Sequence, residues 1–180
     1  MLNTNTNKII EEHVRVEDGH AMVHGNEVIQ GVPGTGSRID MYFEDPAGSK
    51  TGKLFPTGQK KEVFDVPEYG PAEVTVLDCS NPMVFIKASD LGIKGSELTE
   101  LNQNKDVMEH IERIRGMAAV KCGFVEKWED ARTKSTSAPK VSIVSAPQDY
   151  INMDGNEVKA DTMDLCCRAI SVGALHKAYP

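Results

Sequence analysis

The chain has 180 residues, of which 39% are hydrophobic and 26% charged, and these are the proportions of a soluble globular protein. Its 20 Lys and Arg residues against 27 Asp and Glu give a net charge of −7, which argues against binding to a nucleic-acid backbone. No apolar run approaches the ~20 residues of a membrane span, and the polar start MLNTNTNKII predicts no signal peptide. None of the four cysteines belongs to a C-x-x-C pair, so we expect a reducing, cytoplasmic setting.

The first forty-odd residues have the pattern of β-structure. Asp18-Gly19 lies between two short strand-like runs and can supply the positive φ angles of a hairpin turn. Apolar residues alternate along the segment RIDMYF, which predicts a half-buried strand. The break at Asp45-Pro46 is the predicted domain boundary, with residues 1–45 in one domain and residues 46–180 in a second.

Strand-like runs continue beyond the boundary. Their apolar residues alternate with polar ones, or form short β-branched runs bounded by turn residues. Strands are predicted on this basis at 62–66, 72–77, 83–87, 120–125 and 141–144. The polar segment 127–140 is predicted to be a loop.

Two helices are predicted in the second half of the chain. In the first, at 104–119, apolar side chains recur at spacings of three and four, and Asn104 is a suitable N-cap. The second, at 162–178, is capped by Asp161 and is apolar over most of its circumference, which is typical of a buried helix. The order of these elements predicts an α+β fold with a mixed sheet rolled around that apolar helix.

The segment DCSNPMVF places Asn81-Pro82 between two predicted strands. Proline has no backbone N–H for a sheet, so it belongs at a strand start, an edge or a bulge. Asn before proline favours a turn, and a turn here holds the Asn81 amide at a strand end. Both an ordinary turn and a ligand-binding position fit, and the residues alone favour the turn.

Several other signals do not support a site. GTGSRI lacks the third glycine of a dinucleotide fingerprint, and GSKTGKL is one residue short of a phosphate-binding loop. His20 and His24 lie on a predicted hairpin, where a spacing of four has no meaning for a metal, so no metal site is predicted. Packing is the favoured role for the cysteines.

Three long segments carry a resemblance to a known family. They are GVPGTGSRIDMYFEDPAGSKTGKLFPTG at 31–58, LDCSNPMVFIKASDLG at 77–92 and DLCCRAISVGALHKAYP at 164–180, with NTNTNKIIEEHVRVEDG at the start. Together they resemble the PrpF family of isomerases over essentially the whole chain. The resemblance implies a diaminopimelate epimerase-like fold of two lobes with the active site between them. It also implies a cytoplasmic enzyme that needs no metal and no organic cofactor.

The implied reaction moves an allylic proton, and with it a double bond, in a small di- or tricarboxylate. In the family the acid and base are a Lys and a Cys, the latter in an Asn-Cys-Gly-Asn motif just before Asn-Thr-Asn-Thr. Here Asn-Thr-Asn-Thr begins at Asn3, so the motif is absent. We therefore expect an internal fragment: the end of the first lobe at 1–45, then most of the second at 46–180, with little activity of its own. The alternative is a non-catalytic module that binds a small acid or serves in assembly.

The resemblance tips Asn81 towards substrate binding, with Asp78 beside it. Gly34, Thr35 and Gly36 can offer backbone N–H groups to a carboxylate, although a plain interlobe turn fits equally well.

Lys53 can pair with a substrate carboxylate, and the alternative is that it is only a solvent-exposed lysine on a loop. Ser171, His176 and Lys177 match the family near its cleft, and His176 can relay a proton. Their alternative is a basic last helical turn that only favours the helix dipole. Surface left uncovered by a missing lobe predicts a homo-oligomer.

Overall fold

The fold is that of a computed structural model, which describes residues 1–29 and 32–176. Two α-helices are present in this part of the chain, α1 (Lys105–Lys121) and α2 (Ala131–Lys134), with short 3₁₀ turns at Ala88–Leu91, Thr99–Gln103, Trp128–Asp130 and Ala160–Thr162. The strands are β1 (Leu2–Asn3), β2 (Lys8–Val14), β3 (Val16–Glu17), β4 (His20–Ala21), β5 (Ile39–Phe43), β6 (Glu62–Val66), β7 (Gly70–Cys79), β8 (Asn81–Lys87), β9 (Lys140–Ser145), β10 (Tyr150–Ile151), β11 (Glu157–Val158), β12 (Cys166–Ser171) and β13 (Ala174–Leu175).

The main sheet has six strands in the order β13-β12-β9-β8-β7-β6. All neighbours in it are antiparallel except β8 and β9, which are parallel. A parallel pair needs a long crossover, and α1 lies within that connection. The sheet is therefore mixed and the fold is α+β, as predicted.

The hydrophobic core lies between one face of this sheet and α1. On β7, Val74 and Val76 are buried while their neighbours are half-exposed, the two-residue period of a strand. On α1, Ile111, Ile114 and Ala118 are buried at helical spacing and join the same cluster. The predicted helix is confirmed, and so is its cap, since the Asn104 side chain accepts a hydrogen bond from the backbone N–H of Val107 at 3.2 Å.

The second predicted helix, at 162–178, is wrong over its described residues. Cys166, Arg168 and Ile170 are buried alternately on β12, which pairs with β9 from Cys166 to Ile170. Val172 and Gly173 then turn the chain with positive φ angles of 52° and 74°. A largely apolar run fits a strand between two neighbours, here β9 and β13, as well as it fits a buried helix, so its composition did not distinguish the two. The helix that packs against the sheet is α1.

Two smaller predictions also need correction. No strand forms at 120–125, because α1 continues to Lys121 and the chain then turns at Gly123 with φ of 74°. The segment 127–140 is only partly a loop, since it contains the short helix α2. Among the described residues, no helix combines the length and apolarity needed to cross a membrane.

Residues 1–43 form separate, smaller sheets. β1, β2 and β5 pair in that order, and β3 pairs with β4 around Asp18-Gly19, which confirms the predicted strand at 39–43 and the hairpin. The prediction that this strand is half-buried is wrong, because the apolar side chains of Ile39, Met41 and Phe43 on β5 are exposed. The main hydrophobic cluster is built from residues between Phe64 and Leu175.

Candidate functional site

Asp78 is a buried carboxylate at the centre of a polar arrangement where β7 ends. Its side chain is 0% exposed, at the end of β7. Its Oδ2 atom accepts hydrogen bonds from the backbone N–H of Lys50 at 2.8 Å, from that of Thr51 at 2.7 Å and from the Thr51 hydroxyl at 2.8 Å. Three donors on one oxygen are the usual way in which a protein retains a buried carboxylate. The Oδ1 atom is buried and has no hydrogen-bond partner among residues 1–29 and 32–176.

Backbone hydrogen bonds fix the loop at 46–54 to the same strand end. The N–H of Gly48 donates to the carbonyl oxygen of Asp78, and the N–H of Asp78 donates to the carbonyl oxygen of Leu54, both at 2.8 Å. The N–H of Ser80 donates to the carbonyl oxygen of Pro46 at 2.7 Å. The loop therefore crosses the end of β7 as an ordered segment.

Gly48 is required by this loop geometry. Its φ is +64°, and a Cβ atom placed on it would lie 2.5 Å from the backbone nitrogen of Lys53. The sequence GSKTGKL, which fails as a nucleotide motif, thus forms a compact turn whose N–H groups bind an internal carboxylate.

Asn81 is the first residue of β8 and is half-buried beside this loop. It pairs with Cys79 across a tight connection at Ser80, whose φ is +65°. Pro82 pairs with Asp78 and is buried at the strand start, where a residue without an N–H is tolerated. Asn81 thus lies at a strand end, where the turn prediction placed it.

The strand register places the C-terminal end of β12 at the same edge of the sheet as the N-terminal end of β8, where edge means the row of strand ends. Met83 is opposite Lys140, and Val141 is opposite Ile170, so Ser171 follows at the edge where β8 begins. Two strand spacings separate β8 from β12, or about 10 Å. Asn81 and Ser171 each lie one position out of phase with the buried side chains of their strands, on the face away from α1.

His176 is exposed and lies back from that edge. Its backbone N–H donates to the carbonyl oxygen of Ala169 at 2.8 Å, which sets it beside the strand rather than at the end of a helix. Lys177 lies outside the described residues. Lys53 is exposed on the ordered loop, next to Leu54.

The glycine loop contributes fewer N–H groups than its sequence suggests. The N–H of Gly36 donates to the carbonyl oxygen of Glu27 at 3.1 Å, and the reverse bond measures 3.0 Å. Gly34 has a φ of +84°, and both it and Thr35 are exposed. Any anion bound at this loop would therefore use Gly34 and Thr35.

The environment of Cys122 agrees with the packing role predicted for it. Burial, and next the negative charge of Asp78, raise the pKa of this thiol to about 12, so it stays protonated at neutral pH. In the described ranges, no group of three or more His, Cys, Asp or Glu side chains is arranged to hold a metal ion.

Sequence reasoning missed Thr51 and the backbone of Lys50. The available signal was the density of Gly, Lys and Thr in the loop, which resembles a phosphate-binding loop but does not indicate an internal carboxylate as the ligand. Thr51 and Asp78 are 27 residues apart, and nothing in the local pattern indicates that they meet.

These features define an α+β protein in which a mixed sheet packs on one crossover helix and polar groups gather where β8 begins. A profile of the PrpF protein family matches residues 1–180. The chain belongs to the PrpF protein family.

Relatives of known name agree with this membership. The 3-methylitaconate isomerase of Eubacterium barkeri is 38% identical over 179 residues, which are 98% of this chain and 47% of that protein. The 2-methyl-aconitate isomerase of Shewanella oneidensis is 32% identical over 97% of this chain and 45% of its own. The crystal structure of a methylitaconate-delta-isomerase matches with a TM-score of 0.87 at 38% identity, over 99% of this chain and 46% of that one. The chain thus spans about half the length of the relatives that it matches.

Proposed function

We propose that this chain is the substrate-holding part of a cofactor-independent isomerase that shifts an allylic proton in a small di- or tricarboxylic acid. One observation carries the proposal: 99% of the chain matches the structure of a methylitaconate-delta-isomerase with a TM-score of 0.87. Related proteins are named for methylitaconate, methylaconitate and oxalomesaconate, and all three are acids with more than one carboxylate.

The chemistry explains which groups such a site needs. Removal of a proton from the carbon of an allylic acid develops negative charge that spreads onto a carboxylate. Donors and cations placed at that carboxylate lower the barrier, because they bind the transition state more tightly than the substrate. Asn81 supplies an amide donor at the strand end, and Lys53 supplies a cation on the adjacent ordered loop.

The remaining predicted residues have supporting roles in this proposal. Ser171 lies at the same sheet edge as Asn81 and can donate a hydroxyl hydrogen bond. His176 and Lys177 follow it along the chain and are proposed to relay a proton and to bind a carboxylate. Gly34 and Thr35 are proposed to offer backbone N–H groups from the glycine loop.

We assign these contributions to two lobes divided near Asp45-Pro46. The sheets β1-β2-β5 and β3-β4 lie in residues 1–43, and the six-stranded sheet begins at Glu62, which supports this division. The exposed apolar side chains of β5 support self-association of the chain. All four cysteines are free, which supports a cytoplasmic setting.

Binding of the acids to the 180-residue chain tests the proposal. Calorimetric titration with 3-methylitaconate, 2-methylaconitate and oxalomesaconate is expected to show saturable binding of at least one acid. Asn81→Ala is expected to weaken it by at least about tenfold, since a hydrogen bond to a charged group is lost. Asn156→Ala changes an exposed asparagine on another turn and is the matched control.

Two outcomes contradict the proposal. One is the absence of binding for all three acids by a chain that gives a folded NMR spectrum. The other is equal affinity of the Asn81→Ala variant, the Asn156→Ala variant and the wild type. Isomerisation of a bound acid, followed by proton NMR in D₂O, then shows whether this chain also contains an acid and a base.

A further inference from the structure

Asp78 is too deeply buried to contact a ligand directly. Its side chain has 0% exposure, and its Oδ2 atom is shared by the N–H of Lys50, the N–H of Thr51 and the hydroxyl of Thr51. Any influence of Asp78 on a substrate must therefore pass through the loop that it holds.

The Thr51 hydroxyl connects Asp78 to the backbone of Lys53. Its Oγ1 atom lies 2.8 Å from Asp78 Oδ2 and 3.0 Å from the carbonyl oxygen of Lys53. One residue further, the carbonyl oxygen of Leu54 accepts the N–H of Asp78 at 2.8 Å. The Leu54–Phe55 peptide group is thus bonded directly to the backbone of Asp78, and the Lys53–Leu54 peptide group is linked to its side chain through the one hydroxyl proton that Thr51 shares between the two acceptors.

Lys53 itself is a free cation at this place. Its side chain is exposed, and it forms no ion pair with any residue in 1–29 or 32–176. The same strand end continues through Cys79 and Ser80 into Asn81, with Asn81 paired to Cys79. Asp78 is therefore connected to the backbone of both groups that we propose to bind the acid, through its side chain and N–H on the loop side and through the strand pairing on the Asn81 side.

We propose that Thr51 and Asp78 form a positioning pair that fixes Lys53 relative to Asn81, so that the two groups bind two oxygens of one di- or tricarboxylate. This inference rests on the function proposed above. The hydroxyl of Thr51 can be tested separately from its packing. A side chain of the same shape without the hydroxyl loses the contacts with Asp78 and with the Lys53 carbonyl oxygen but fills the same space. Holding the cation in place before binding avoids the entropy cost of ordering a loop at the moment of association.

Three variants separate positioning from simple stabilisation. Thr51→Val removes the hydroxyl and keeps the shape, Thr51→Ser keeps the hydroxyl, and Thr57→Val removes an exposed-loop hydroxyl that contacts only Gln59 in the described structure. We expect Thr51→Val to weaken the affinity for 3-methylitaconate by about tenfold. Thr51→Ser and Thr57→Val are expected to bind as the wild type does.

A ligand-free measurement decides the inference independently of binding. In Thr51→Val, faster hydrogen exchange of the Lys50 and Thr51 amides and shifted NMR signals of the Asn81 side-chain amide are expected. Unchanged exchange and unchanged Asn81 signals overturn the positioning pair. Equal affinities of Thr51→Val and Thr51→Ser also overturn it, even if Thr51→Val is less stable.

The two proposals fail in different ways. A wild-type chain that binds no acid overturns the proposed function, and the exchange and Asn81 signals then decide the structural role of the pair. A wild-type chain that binds, with a Thr51→Val variant that binds equally well, leaves the function in place and overturns the pair.

Discussion

The phenol ring of Tyr69 stacks on the imidazole of His110, with ring centroids 4.2 Å apart and an interplanar angle of 5°. The Tyr69 hydroxyl donates to Asp106 Oδ1 at 3.0 Å, and the Arg113 guanidinium lies 5.3 Å from the Tyr69 ring centroid. Tyr69 lies between β6 and β7, whereas the other three residues lie on α1. The stack therefore fastens the helix to one end of the sheet.

This stack predicts a pH dependence of stability. Burial, with a smaller contribution from Arg113, lowers the pKa of His110 although Asp106 opposes the change. The unfolded chain thus takes up a proton more readily, so stability is complete above the unfolded pKa of about 6.5 and falls as the pH drops through it. Urea unfolding at about pH 7.5 and about pH 5.5 is expected to show this loss in the wild type and a smaller one in His110→Phe.

The control is His24→Phe, which removes an exposed histidine and is expected to keep the full pH dependence. An equal loss of stability in His110→Phe and the wild type would contradict the prediction.

The loop over Asp78 predicts unequal effects of two glycine substitutions. Gly48→Ala combines a φ of +64° with a Cβ atom 2.5 Å from the backbone nitrogen of Lys53, so it is expected to destabilise the chain by about 3 kcal/mol. Gly58→Ala has a φ of +79°, but no atom of the described residues lies within 4 Å of the added carbon, so only about 1 kcal/mol is expected. Urea unfolding measures both, and equal losses would show that the close approach at Gly48 is relieved without cost.

The core between α1 and the sheet predicts a large loss at Ile114. Its side chain is 0% exposed, and Ile114→Ala is expected to reduce the free energy of unfolding by about 2–5 kcal/mol through lost burial and a cavity. Val120→Ala lies on the exposed side of the same helix and is expected to change it by less than about 0.5 kcal/mol. A similar small change at both positions would place the core elsewhere.

The exposed apolar side of β5 predicts self-association. Sedimentation velocity is expected to show a concentration-dependent dimer or larger species, because Met41 and its neighbours on that strand are in contact with water. Met41→Glu is expected to shift the chain to monomer, whereas Val63→Glu, at an exposed position of the other sheet, is not. A monomeric wild type at every concentration would refute this prediction.

Local pattern was sufficient for much of the fold. Strand β6 and helix α1 are found where alternation and helical spacing predicted them, because one face of each is buried and the other is exposed to solvent. The pattern failed at β12, because a largely apolar sequence fits a buried helix and a strand with two neighbours equally well. Only the pairing of β12 with β9 distinguishes them, and pairing is a property of the folded chain.

The site was predictable only in part, for a similar reason. The Asn-Pro step between strands predicted a turn at Asn81, and only the family resemblance favoured a binding role for it, which stays a prediction. The hydrogen bonds of Asp78 could not be predicted, because they come from Lys50 and Thr51, which are separated from it along the chain by β6 and most of β7. Resemblance to a family suggested the reaction class that we propose, but the contacts of this loop were visible only in three dimensions.

The parallel pairing of β8 with β9 has a consequence for biosynthesis. As the chain leaves the ribosome, β6, β7 and β8 can form a meander at once, since each pairs with its neighbour in sequence. The apolar underside of that meander stays uncovered until α1 has been translated, and β8 has no second neighbour until β9 follows. During that interval the nascent chain exposes the unpaired edge of β8 and a hydrophobic sheet face, which are the features that chaperones bind.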